Sequence, residues 1–166
     1  LADQLREAGV RDVRVQRPHA NVVGTIPGTE DDAILLAAHH DTKDVAGFVG
    51  ANDGASGVAV VLELARALPD RVEGPSVHFA LFDAEEARGD RSFEADGLRG
   101  SRQYVAYARA SRRGRRVQPG LLHYSGQRRG RWPSRQNLKL IIFFITMTPI
   151  SSLRAVSGTP NTCSFA

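Results

Sequence analysis

Two short apolar runs, separated by an apolar helical stripe, limit most strongly what this chain can fold into. Residues 33–38 and 76–82 are continuous and apolar, as expected of strands that are covered on both faces. Between them, residues 57–68 have apolar side chains at helical spacing and are followed by Pro69. Because a strand, a helix and a second buried strand form the usual unit of a parallel sheet, the sequence predicts an α/β fold.

Weaker patterns flank this unit. Residues 1–8 have the apolar spacing of a helix that stops at Gly9, and residues 100–108 predict a further helix. Residues 13–15 and 21–26 are typical of two strands, which we expect to form an antiparallel pair.

The acidic residues stop at Asp96, although arginines continue to the end of the chain. The first part of the sequence therefore has a net negative charge, and the excess of positive charge belongs to the second part. From Arg109 onward, arginines lie among Gly, Ser, Pro and Gln without helical or strand period. We therefore predict one structured unit over residues 1–108 and a basic, irregular segment over residues 109–166.

Several classes of protein are disfavoured by the composition. Cys163 is the single cysteine, which excludes an internal disulfide and a cysteine-based zinc cluster. The longest apolar run, residues 138–150, contains Lys139 and is shorter than the ~20 residues that cross a bilayer, so no membrane span is predicted. No signal-peptide pattern is visible, and the sequence predicts neither a compartment nor an oligomeric state.

Polar side chains cluster where the predicted apolar elements end or begin. The first buried strand is followed by His39 and Asp41, the second by Glu85 and Glu86, and Asp53 precedes the helix between them. In open α/β sheets the ligand crevice lies beyond the carboxyl ends of the strands, so these side chains are expected to converge.

This combination of residue types suits a metal-assisted hydrolysis. His39 and Asp41 lie on the same side of an extended backbone, where the carboxylate could orient a metal-binding imidazole. Of the two adjacent glutamates, which an extended segment would direct differently, one could bind zinc while the other accepts a proton from water. The alternative is that these are solvated surface charges, and three separate clusters at element ends argue against it. His40 and His78 are expected to be structural or exposed.

Three ordered segments resemble the M28 family of zinc peptidases, which includes aminopeptidases: AAHHDTK at 37–43, GANDGASGVAVVLELARAL at 50–68, and residues 79–105. The resemblance implies a zinc-exopeptidase-like fold, namely a three-layer α/β/α domain with a mixed, largely parallel sheet. Here that domain would be incomplete at its C-terminal end.

Residue by residue, the resemblance implies His39 and Glu86 as zinc ligands and Asp53 as a carboxylate bridging two zinc ions. It implies Asp41 as the partner that orients His39, and Glu85 as the general base. The implied activity is aminopeptidase-type hydrolysis of a peptide substrate with one or two zinc ions. Family members are often secreted.

Within the same superfamily, the details DTK, FVGANDGASG and the insert between Glu86 and Gly97 are also similar to glutaminyl-peptide cyclotransferases. These use one zinc ion. In that interpretation Asp53 and Glu86 remain ligands, Glu85 shuttles protons during ring closure, and His39 does not bind metal. The sequence leaves the two activities open.

The resemblance covers about residues 1–107 and then stops. The family pattern continues with a further Asp ligand and a later His ligand, whereas no acid follows Asp96 and the one later histidine, His123, lies in an arginine-rich stretch. Loss of ligands weakens metal binding, which predicts an inactive or truncated copy of the domain. Translation in a shifted frame, or a mistaken gene end, is a hypothesis for residues beyond 108 that sequencing the encoding DNA would test.

A function of another class is non-specific nucleic-acid binding through residues 109–135, because clustered arginines can contact phosphates. Only Tyr124 and Trp132 supply aromatic side chains there, and no known reading module is present. This hypothesis ranks last, and no specific nucleic-acid partner is predicted.

Overall fold

The computed structural model describes residues 1–112 and, for the backbone alone, residues 138–142. The seven helices and strands that the sequence predicts occur in the predicted order, and the described residues contain two further elements. In chain order the elements are α1 (Ala2–Glu7), β1 (Arg11–Gln16), β2 (Asn21–Ile26), β3 (Glu30–His39), α2 (Ala55–Ala67), β4 (Pro75–Phe82), α3 (Phe93–Asp96), α4 (Arg99–Arg112) and β5 (Leu138–Ile142).

The strands form one mixed sheet in the order β1-β2-β4-β3-β5. β1 pairs with β2, and β2 with β4, in antiparallel fashion, whereas β3 is parallel to both β4 and β5. The α/β class, the mixed sheet and the antiparallel first pair are thus confirmed. A largely parallel sheet in three layers stays a prediction.

Alternation along β3 explains why its sequence is continuously apolar. Leu36 and Ala38 belong to a core cluster with α1 and α2, while Leu35 and Ala37 belong to a second cluster that includes Tyr104 of α4. Because successive side chains point to opposite faces, both faces of this strand are buried. Tyr104 packs edge-on against Phe82, with ring centroids 5.6 Å apart.

The apolar stripe of α2 faces the first cluster, as predicted. Val61 and Ala65 are fully buried, and Val58 and Leu62 are nearly so. Complete burial of such a side chain contributes roughly 1.5–3 kcal/mol, which fixes this helix, and the loop before it, against the sheet.

Elements differ from the prediction mainly at their ends. β3 begins earlier, at Glu30, and α4 extends to Arg112. The sequence did not predict the short helix α3 or the pairing of β5 with β3. The boundary near residue 108 stays a prediction, and most of the basic segment, including His123, lies outside the described residues. Within the described part of the chain, no helix has the length and hydropathy needed to cross a membrane.

Candidate metal centre

Three acidic or histidine side chains meet at the carboxyl edge of the parallel strands. In the β3–β4 register His39 lies beside Phe82, so the two strands end at the same level. Asp53 lies in the loop that leads into α2, and Glu86 lies in the loop that follows β4. Residues far apart in sequence therefore meet because two parallel strands end together.

The three side chains lie at coordinating separations. One potential ligand atom from each of His39, Asp53 and Glu86 lies within 4.8 Å of the others. Nε2 of His39 is 3.0 Å from Oδ1 of Asp53. The side chains are 12%, 25% and 11% exposed, respectively, so the cluster is largely shielded yet open to solvent on the Asp53 side.

Asp41 lies behind His39 and joins two parts of the cluster. Its Oδ1 is 3.4 Å from Nδ1 of His39, the ring nitrogen that does not face Asp53. Its Oδ2 accepts a hydrogen bond of 2.9 Å from the backbone amide of Glu86. Asp41 therefore contacts both the ring of one candidate ligand and the backbone of another.

His39 and Asp41 each stabilise the charged form of the other. The interaction with Asp41 raises the pKa of His39 above its ordinary value, against the opposing effect of burial, and the charge of Asp53 adds to the rise. Burial acts to raise the pKa of Asp41, but the imidazole and the amides of Glu86 and Glu85 lower it below its ordinary value. Asp41 is thus held as a carboxylate.

Glu85 occupies a different environment from its neighbour. Its side chain is buried, at 2% exposed, and Oε1 accepts a 2.7 Å hydrogen bond from the Ser101 amide in the first turn of α4. Oε2 is buried and has no hydrogen-bond partner among the described residues. Burial raises the pKa of Glu85, although the Ser101 amide opposes the rise. A buried carboxyl group with a raised pKa accepts a proton more readily than an exposed one, as a general base must.

The extended segment predicted for the two glutamates is wrong. Ala84 has a φ of +57°, and residues 83–89 form turns and bends rather than a continuation of β4. The side chains of Glu85 and Glu86 therefore point in different directions because the backbone turns, and not because they alternate along a strand. Glu85 faces α4, while Glu86 faces His39 and Asp53.

A buried carboxylate holds the loop that carries the glutamates. Both oxygens of Asp96 are bound by guanidinium groups: Arg88 at 3.0 and 3.1 Å, Arg91 at 3.0 Å, and Arg99. The hydrogen bonds from Arg88 in particular keep the pKa of Asp96 well below its usual range. We call Arg88, Arg91 and Arg99 around this carboxylate the arginine cage. Arg99 also donates to the backbone oxygen of Glu86 at 3.1 Å, so the cage contacts a candidate ligand.

The residues present fit a zinc ion. Oε2 of Glu86 is buried without a hydrogen-bond partner in the described part of the chain, 3.6 Å from Nζ of Lys43. One imidazole and two carboxylates are ligand types that zinc accepts, and catalytic zinc sites commonly have three protein ligands. Among the proposed ligand atoms, Oε2 of Glu86 is thus a buried, unsatisfied oxygen that a metal ion would engage.

The other candidate histidines do not join this cluster. Nε2 of His40 lies 3.3 Å from the backbone oxygen of Ala20, and His78 is buried beside the hydroxyl of Thr25. Both therefore have structural contacts, in line with the prediction.

Sequence reasoning missed several residues that shape the site: Asn21, Lys43, Asp96, Arg99 and Ser101. A polar residue at the start of an apolar strand could have drawn attention to Asn21, and the isolated Asp96 is the last acid of the chain. No local pattern signals the amide of Ser101, whose role arises from a contact with residue 85.

The mixed sheet and the His/Asp/Glu cluster at its carboxyl edge assign the chain to the α/β proteins that have a candidate metal centre of an enzyme. The family model described as "Peptidase family M28" matches residues 21–119, which is more than half of the chain and includes every candidate site residue. The chain therefore belongs to peptidase family M28.

Related proteins share this part of the fold. A glutaminyl-peptide cyclotransferase of Bos taurus is 35% identical over 83 residues, which is 47% of this chain and 21% of that protein. The crystal structure of an Acidobacteriales bacterium glutaminyl cyclase matches with a TM-score of 0.53 and 31% identity, over 68% of this chain and 42% of that one. The glutaminyl cyclase of Tannerella forsythia matches with a TM-score of 0.51 and 26% identity, over 63% of this chain and 44% of that one. The chain thus spans less than half the length of these relatives.

Proposed function

We propose that this chain carries the zinc site of an M28-type aminopeptidase, which hydrolyses the first peptide bond of a peptide substrate. The observation that supports the proposal best is that ligand atoms of His39, Asp53 and Glu86 lie within 4.8 Å of one another. A zinc ion held there supplies a Lewis acid that activates water and polarises a carbonyl group. An ordinary surface cluster would not combine this spacing with buried, unsatisfied polar atoms.

The surrounding residues have roles that follow from their contacts. Asp41, behind Nδ1 of His39, fixes the ring so that Nε2 faces the metal position. Ser101 engages Oε1 of Glu85, whereas Oε2 has no partner within residues 1–112. Oε2 therefore takes a proton from water and delivers it to the departing amine. The raised pKa of Glu85 brings it closer to the neutral range in which such a transfer is efficient.

A second candidate function is that of a glutaminyl-peptide cyclotransferase, and the relatives named above favour it. In this alternative Asp53 and Glu86 hold one zinc ion. Glu85 transfers a proton from the attacking N-terminal amine to the departing ammonia of a glutamine side chain. His39 then has no ligand role, which is the point at which the two functions predict different behaviour.

The proposal concerns a partial domain, with residues 1–108 as its structured unit. The sequence offers no Asp or Glu beyond Asp96 to complete the ligand set. Weak zinc binding, with activity that depends on added zinc, is therefore part of the proposal.

The experiment compares two substrates with one protein. The full chain, supplied with zinc, is assayed for release of nitroaniline from aminoacyl-p-nitroanilides and for conversion of a glutamine-initiated peptide to pyroglutamate. Hydrolysis without cyclisation supports the aminopeptidase, and cyclisation without hydrolysis supports the cyclotransferase.

Two variants test the residue assignments. Glu85→Gln keeps the shape of the side chain and removes its base, so turnover should fall by roughly 100- to 10,000-fold. His39→Ala should abolish the peptidase but leave a cyclotransferase largely active. The proposal is contradicted if turnover survives Glu85→Gln. It is also contradicted if the native chain with added zinc turns over neither substrate.

A further inference from the structure

Asn21, at the start of β2, is a buried polar residue whose hydrogen bonds reach three other segments. Its side chain is fully buried. Nδ2 donates to the backbone oxygen of Gly100 at 2.9 Å and lies 3.3 Å from Oε1 of Gln16. Oδ1 accepts from the backbone amide of Asp83 at 3.0 Å. Because both amide hydrogens and one acceptor position are used, this side chain links β2 to the end of β4 and to the start of α4.

The first turn of α4 is pressed closely against the end of β4. A Cβ atom at Gly100 would lie 1.8 Å from the backbone oxygen of Asp83 and 2.6 Å from Oδ1 of Asn21. These are clashes with backbone and with a held side chain, so a larger residue would move the turn away from the strand. Glycine at position 100 permits the contact between this turn and the end of β4, and the hydrogen bonds of Asn21 stabilise it.

The same turn holds Glu85. The amide of Ser101 donates to Oε1 of Glu85 at 2.7 Å, and the amide of Leu98 donates to its backbone oxygen at 2.9 Å. Both the carboxylate and the peptide group of Glu85 are therefore fixed by residues within two positions of Gly100. A shift of this turn would move the carboxylate of Glu85 directly, whereas the contact of the turn with Glu86 runs through the long side chain of Arg99.

We infer that Asn21 is a positioning residue for Glu85, acting through Gly100 and the Ser101 amide. The inference rests on the proposed function, in which Glu85 carries the proton. A displacement of about 1 Å in a reacting group can cost on the order of 100-fold in rate. Disturbing Asn21 should therefore lower kcat, while KM and zinc content change little.

Hydrogen exchange at the Ser101 amide tests the mechanical link without any need for activity. In the full chain, Asn21→Leu removes the hydrogen bonds at similar volume, and Asn21→Ser is a milder change if the leucine variant fails to fold. Each should speed exchange at Ser101 by roughly 10-fold or more through local opening of the turn. Ile26→Val is the matched control, because Ile26 is also fully buried on β2 and contacts none of these groups through hydrogen bonds; it should leave exchange at Ser101 unchanged.

Kinetics then tests the consequence for Glu85. Gly100→Ala displaces the same turn through a different atom, so it should reproduce the loss of kcat, expected at roughly 10- to 100-fold. The double variant Asn21→Ser/Gly100→Ala should be little worse than the more damaging single change, because both act on one turn. Unaltered exchange at Ser101 in the Asn21 variants, or a kcat no lower than that of Ile26→Val, overturns the inference. If the unmodified chain turns over neither substrate, the proposed function fails, and the exchange result alone decides whether Asn21 holds the turn that carries Glu85.

Discussion

Nε2 of His39 lies 3.0 Å from Oδ1 of Asp53, and this contact joins the end of β3 to the loop that precedes α2. Gly54 makes the approach possible. It has a φ of +100°, and a Cβ atom there would lie 3.4 Å from Cε1 of His39 and 3.0 Å from the backbone oxygen of Asp41. The loop that carries Asp53 thus depends on a position where the backbone conformation strongly disfavours a side chain and the space for one is tight.

Gly54→Ala is predicted to weaken zinc binding by roughly 10-fold, because the added methyl group crowds the backbone oxygen of Asp41 and strains the backbone next to Asp53. Gly89→Ala is the matched control: its φ is also positive, at +54°, but no atom lies within 4 Å of the Cβ position. Both changes should lower the free energy of unfolding by at least roughly 1 kcal/mol from backbone strain. Zinc titration against a chromophoric chelator measures the difference. Equal zinc affinities for the two variants would argue against a dependence of the metal site on Gly54.

Asp96→Asn is predicted to loosen the loop that carries Glu85 and Glu86. The variant leaves the guanidinium groups around position 96 without their common carboxylate, including that of Arg99, which also holds the backbone of Glu86. Zinc affinity should fall by roughly 10-fold, as expected when groups that orient a ligand are altered. Limited proteolysis should cut within residues 83–99 more rapidly.

Asp90→Asn provides the comparison for this change, since Asp90 is exposed on the same loop. It removes the same charge and should alter neither zinc affinity nor the rate of proteolysis. If both variants behave alike, net charge rather than the arginine cage would explain the result.

Burial of His78 predicts a loss of stability in mild acid. Burial, assisted by the charge of Arg14, lowers the pKa of His78 to about 4, from 6.5 in the unfolded chain. As the pH falls between these values, the unfolded chain takes up a proton that the folded chain does not, so the free energy of unfolding decreases. The full effect is about 3 kcal/mol.

His78→Gln removes this titration. Urea unfolding of both proteins at a series of pH values from 7 to 4 should show a shallower decline for the variant. Parallel curves would mean that His78 already takes up its proton in the folded protein.

The sequence was sufficient to predict the elements that depend on local patterns. Continuous apolar runs identified β3 and β4, and helical spacing identified α2, because burial of one or both faces of an element determines which of its positions are apolar. The convergence of His39, Asp53 and Glu86 followed from one topological rule, that parallel strands end at a common edge. Neither inference needed contact between particular side chains.

The details that tune the site could not be predicted in this way. The turn at Ala84, which separates Glu85 from Glu86, depends on how α4 approaches β4. The hydrogen bonds of Asn21 join segments 62 and 79 residues away. Such contacts are set by tertiary packing and carry no local period, so a single sequence does not reveal them. The same holds for β5, whose short apolar stretch lies in a segment without other pattern.

The most direct test of the metal centre is the zinc content of the full chain and its variants, measured by elemental analysis after metal depletion and equilibrium dialysis against a fixed concentration of free zinc. The metal-site assignment predicts at least about one zinc ion per native chain. It predicts a fall to background for Asp53→Ala and Glu86→Ala, and no change for Glu94→Ala, which removes an exposed carboxylate. Retention of zinc by both ligand variants, or no zinc in the native chain, would contradict the assignment of this cluster as a metal site.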